Sequence, residues 1–174
     1  MKATDPIIIN SVIHWFEKSV LGLNLCPFAA GPYRQNSVSF ELSHADNDEG
    51  CLVDLFLALN KLQQQPEIET LVIICASHLA SFSDYNQFLD LAEDLLEQEG
   101  WIGVYQIASF HPDYQFTDCD VEDRANWANR SPYPLLHLIR EASISRALES
   151  YPGCEDIPQR NEQLLRSLSE RQMK

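Results

Sequence analysis

The chain lacks any apolar run long enough to cross a bilayer as a helix; its cleanest, residues 71–76, is strand-sized. The opening M-K-A-T-D-P-I-I-I-N-S has too short an apolar stretch to read as a secretory signal. A cytoplasmic protein without a membrane partner is therefore expected. Positive charge is also scarce: 12 Lys and Arg stand against 26 Asp and Glu, a formal net charge of −14. Such a balance disfavours generic nucleic-acid binding, which needs a positive footprint on the phosphate backbone, and leaves room only for a local basic pocket. The acids gather at residues 46–49, 90–99 and 118–123 and read as solvated surface. The five cysteines include no C-x-x-C, so no thioredoxin-like pair or zinc knuckle is encoded locally, and free thiols are expected. H-E-x-x-H is missing too, as are internal repeats and linkers.

What is present reads as one α/β domain over residues 1–174, long enough to bury a core without metal or disulfide staples. Asp5-Pro6 can start a helix, and Ile8, Val12, Trp15, Phe16 and Val20 recur at helical spacing until Gly22. The prolines and glycines of residues 22–33 forbid a long regular element there. Residues 38–42 alternate as a strand. Residues 49–64 pattern as a helix, with Asp48 a possible cap, and Pro66 stops it. Residues 70–76 have the continuous apolar character of a strand covered on both faces. A helix over 84–98 and a strand over 102–108 follow, then a short helical piece near 121–128 and two helices, 132–150 and 158–171. Helix-length connections between strands favour a small two- or three-layer domain with a mainly parallel sheet of three or four strands and extra C-terminal helices. A divergent ferredoxin-like arrangement is the alternative if a short strand lies among residues 111–120.

Two segments carry most of the candidate chemistry, S-F-H-P-D-Y at 109–114 and N-R-S-P-Y-P-L-L-H-L-I-R-E at 129–141. The first would leave the third strand, and open α/β sheets place their sites beyond the C-terminal ends of strands. His111 can move a proton near neutral pH, with Asp113 to orient it and Pro112 restricting its backbone. In the second segment, Ser131-Pro132 reads as a helix start, which would set His137 and Glu141 on one helical face with Arg140 three residues from His137. Arg130 and Arg140 together could clamp a carboxylate or phosphate, because a guanidinium holds two oxygens at once. A third element, L-N-L-C-P-F at 23–28, offers Cys26 as a nucleophile or redox group, with Asn24 and Asn129 as polar contacts. His111, Asp113, His137 and Glu141 also make a conceivable metal set, though no residue is assigned as a ligand and no cofactor is indicated. Each residue has a plain structural account as well: a turn histidine bonded to backbone, arginines paired with carboxylates, a buried thiol.

The strings G-L-N-L-C-P-F-A at 22–29, Y-N-Q-F-L at 85–89, A-S-F-H-P-D-Y-Q-F at 108–116 and N-R-S-P-Y-P-L-L-H-L-I-R-E-A-S at 129–143 resemble a bacterial family known as domain of unknown function 1415, over almost the whole chain. Cys26, His111, Arg130, His137 and Arg140 fall inside the resembling strings. The resemblance implies membership and brings no reaction with it. The functional expectation is therefore a small-molecule enzyme acting on an anionic metabolite through histidine and arginine, with Cys26 a possible nucleophile. The alternatives are a metal-binding protein and a non-catalytic binding or regulatory domain. The enzyme reading demands that Cys26, His111 and Arg140 converge on one cavity.

Overall fold

The structure, a computed structural model, describes residues 5–151 and 153–169. Helix α1 (Asp5–Trp15) widens into a π-helical turn over Phe16–Leu21. Gly22 caps it at a position where nothing larger fits: a Cβ there would meet the Lys18 carbonyl oxygen at 2.3 Å. A turn region leads to the short α2 (Ala30–Arg34), then to β1 (Val38–Leu42) and α3 (Asp48–Gln64). The cap of α3 is Asn47, whose side chain accepts from the Gly50 amide, so Asp48 lies inside the helix. Strand β2 (Thr70–Ile74), helix α4 (Phe82–Gln98) and strand β3 (Tyr105–Phe110) complete the alternating part. A 3-10 turn at Arg124–Ala128 precedes β4 (Leu135–Arg140), α5 (Glu141–Ser150), a 3-10 turn at Cys154–Asp156 and α6 (Ile157–Ser167). The far end of the helix expected over 158–171 falls outside the described residues.

The sheet is mixed, not mainly parallel, and its order is β1-β2-β4-β3. β1 and β2 are parallel, while β4 runs antiparallel to both β2 and β3. The fourth strand is thus Leu135–Arg140, and the 111–120 segment that a ferredoxin-like arrangement would use holds no strand. The helix expected over 132–150 is therefore a strand for its first part and a helix only from Glu141. Local preference for helix in a Leu-rich run is a fraction of a kcal/mol per residue and yields to tertiary pairing. Here the run L-L-H-L-I-R has a ladder on both sides: Val72 and Ala108 flank His137.

The pleat of β2 and β4 divides the core in two. Leu71, Ile73, Leu136 and Leu138 face α3 and α4, where Leu55, Leu59, Leu62, Phe88 and Leu96 are fully buried. Val72, Ile74 and Leu135 face the other way, onto Val12 of α1. The cavities considered below lie on the second side.

Candidate functional site

His111 follows the last residue of β3 and is 0 % exposed. Its Nδ1 accepts the Asp113 amide at 3.0 Å, which leaves Nε2 as the protonated nitrogen donating to the Leu79 carbonyl at 3.0 Å. Phe82 and Tyr85 pack their rings against it, with centroids 5.2 and 5.1 Å away. Burial pushes its pKa down, against smaller opposing contributions from the Leu79 carbonyl and Asp113. Both ring nitrogens are thus used, and the Asp113 carboxylate points outward while its amide does the orienting. Asn129 holds the same corner: its Nδ2 donates to Ser109 O at 2.9 Å and its carbonyl accepts the His111 amide at 3.1 Å. Tyr85, fully buried, pins the strand ends beside it by donating to Leu135 O at 2.7 Å and accepting from the Phe110 amide at 3.0 Å.

Arg140 is likewise engaged by backbone. Its guanidinium donates to the carbonyls of Leu62, Gln65 and Ile68 and lies 5.9 Å from the Tyr105 ring centroid. It covers orphan carbonyls at the C-terminus of α3, where a cation is favoured. Arg130 stands at the other end of the sheet, donating to Tyr114 O at 3.1 Å and Val121 O at 2.7 Å. The two arginines therefore do not form a joint clamp. Glu141 opens α5, its amide bonded to Val104 O at 2.9 Å. Because residues 137 and 140 belong to a strand, their side chains leave opposite faces, and the His137–Arg140–Glu141 helical face expected from spacing does not exist. The shared site expected at the C-terminal sheet edge also divides: His111 packs on the α4 side, and His137 projects mid-strand from the α1 side.

The histidine that does share a site with Cys26 is His137. Both line a cavity of about 470 Å³ between the sheet, the π turn and α5. Both also line a narrower apolar cleft of about 110 Å³ beneath Trp15, Phe16 and Val20. Thr70, two residues along the neighbouring strand on the same face, hydrogen-bonds His137 Nε2 through its hydroxyl. Phe16 and Phe110 rings flank the imidazole at 6.4 and 6.3 Å. Enclosure by protein lowers the His137 pKa from 6.5 to about 4, so the ring is neutral at pH 7. Burial pushes the Cys26 thiol up, against smaller opposing contributions from the Phe28 and Ala29 backbone. The Cys26 loop is held from outside: Arg160 donates to Asn24 O, and Asn161 donates to Leu25 O at 2.7 Å. Asn24 itself takes a left-handed backbone, φ 52°. It lies on the loop's exposed side and contributes its carbonyl to the tether.

Sequence reasoning named Cys26 and His137 but not Thr70, or Glu69 and Arg146 at the cavity's outer end. Arg146 donates to Glu69 Oε1 and Ser143 Oγ, each at 3.1 Å. Nothing in their spacing marks them, since strand register and the path of α5 bring them there. Among the described residues, no group of three or more His, Cys, Asp or Glu is placed to hold a metal ion. No helix among them is long and apolar enough to cross a membrane. A family model described as "Protein of unknown function (DUF1415)" matches residues 7–174. No curated protein and no solved structure matches the chain.

Proposed function

We propose that this chain, which belongs to the DUF1415 family, is a small-molecule enzyme whose chemistry lies at Cys26 and His137. The observation that carries the reading is that these two side chains, distant in sequence, line the same two cavities. A volume of about 470 Å³ is in the range of small-molecule sites. The walls are largely Phe16, Phe28, Val38, Ile139 and Ile144, so the substrate has an apolar body, and its polar end meets Glu69 and Arg146 at the outer end. Arg146, rather than Arg130 or Arg140, is the arginine at this cavity, where an anionic group on the substrate competes with Glu69 for its guanidinium.

Thr70 engages Nε2 of His137, which leaves Nδ1 as the ring nitrogen for proton exchange. At rest the pair is neutral, thiol and imidazole. In the proposed step the Cys26 sulfur attacks an electrophilic carbonyl carbon, its proton passes to the imidazole, and the carbonyl oxygen takes the displaced electron pair. Return of that proton to the leaving group, as the carbon–leaving-group bond breaks, gives an acyl thioester on Cys26. Water then hydrolyses it and regenerates the thiol.

Turnover of a panel of activated apolar esters, some carrying a terminal carboxylate, tests this. Wild-type protein should show turnover and an acyl adduct on the Cys26 peptide by mass spectrometry, and Cys26→Ala should lose both. Equal turnover in Cys26→Ala, or wild-type protein that neither turns over nor becomes acylated, would overturn the reading.

A further inference from the structure

A second cavity, of about 480 Å³, lies on the other side of Trp15 from the Cys26 cleft. Its lining includes His14, Lys18 and Arg130 and no Asp or Glu. In a chain of formal charge −14, a pocket with this composition is a local reversal of the surrounding field. His14 and Lys18 lie four residues apart on one helical face, both exposed. Neither side chain has a hydrogen-bond or ion-pair partner among the described residues. Arg130 is positioned by its bonds to Tyr114 O and Val121 O, which use two of the five N–H groups a guanidinium carries. Two indoles, Trp15 and Trp127, line the same space, and Trp127 is 38 % exposed.

We infer that this cleft binds a phosphomonoester attached to a flat heteroaromatic ring, as in a nucleoside monophosphate. A phosphomonoester near neutral pH carries close to two negative charges and three acceptor oxygens, which His14, Lys18 and Arg130 can meet with three separate donors. A carboxylate would leave one of them unused. The indoles supply the faces on which a ring stacks, as aromatic side chains do for bases in nucleotide-binding proteins. The cavity is large enough for ring and phosphate together. The site is independent of Cys26 and His137, neither of which lines it.

Adenosine monophosphate, adenosine, inorganic phosphate and an indole carboxylate should be titrated separately into the 174-residue chain. Heat of binding and tryptophan fluorescence are both read; the third tryptophan, Trp101, is buried and gives a constant background. The monophosphate should bind saturably and at least about tenfold more tightly than the other three, as expected when one charged or stacked contact is lost. Lys18→Glu and Trp127→Ala should each weaken it by about tenfold, and Lys18→Glu, at an exposed position, should leave the thermal midpoint unchanged. Adenosine binding as tightly as the monophosphate would overturn the anion site. Phosphate doing so would overturn the ring site, and the carboxylate doing so the phosphate assignment. Absence of saturable monophosphate binding, or affinity unchanged in both variants, would overturn the whole proposal.

Discussion

Acidification to pH 5 should remove about 2 kcal/mol of folding stability through His137 alone. Burial lowers its pKa from 6.5 to about 4 in the folded chain, and the unfolded chain restores the ordinary value. Between those two values the unfolded state binds the extra proton, so stability is fully present above pH 6.5 and is lost as pH falls toward 4. Integrating to pH 5 gives about 2 kcal/mol, out of about 3 kcal/mol for the whole shift. His111, also lowered by burial, adds loss of the same sign, so the wild-type slope alone does not isolate His137. The difference between wild type and His137→Gln does, because glutamine can keep a bond to Thr70 and does not titrate. Urea unfolding at pH 8 and pH 5 supplies the four stabilities. Asp123, held to about 2 by Arg166, stays charged throughout. The gap between the two proteins should close by about 2 kcal/mol on going to pH 5. An unchanged gap, or an imidazole resonance of His137 titrating near 6.5, would refute the argument that the site keeps this ring neutral.

Three further perturbations probe the other joints. Arg140→Met should destabilise by about 2–3 kcal/mol in urea, because it uncovers the α3 carbonyls, and Arg140→Lys should recover only part, since an ammonium cannot reproduce the fork. Tyr85→Phe should cost about 1–3 kcal/mol in thermal or urea unfolding by stranding the Leu135 carbonyl and the Phe110 amide, with little change in secondary structure by circular dichroism. Alkylation of Cys26 by iodoacetamide, followed peptide by peptide, should still be accelerating at pH 9, because burial raises the thiol; a plateau near pH 7 would show a standing thiolate instead.

The alternating half of the chain was legible because its patterns are local. Val38–Leu42 alternates, residues 71–74 are apolar throughout, and α3 and α4 carry their own stop signals at Pro66 and Gly100. β4 was not, because Pro132 and Pro134 imitate a helix entry and the following leucines suit either element. What decides is the slot between β2 and β3, a property of the assembled sheet. That one misassignment propagated into the site. On a helix, His137, Arg140 and Glu141 share a face; on a strand, His137 joins Thr70 and Cys26 while Arg140 turns to α3. The Cys26, His111 and Arg140 convergence failed for a related reason, since the polar atoms of His111 and Arg140 are taken up by nearby main chain. Cys26 and His137 are each marked in the sequence, but nothing in their spacing pairs them. Lys18 and His14 gave no signal, because their meaning depends on Arg130 arriving from more than a hundred residues away.

The position of β4 also sets the order in which this protein can become a protein. Its pairing with β2 joins Thr70 to Ile139, so the middle of the sheet stays open until that late stretch has been made. Until then β2 has only β1 beside it, and the edge that will receive β4 is an apolar ribbon of unpaired amides. Such an edge recruits whatever strand is nearest, including that of a neighbouring chain. A nascent or truncated chain ending before residue 135 would thus be a seed for association rather than a smaller version of the fold. The chain that includes β4 pays for long-range closure with slower folding.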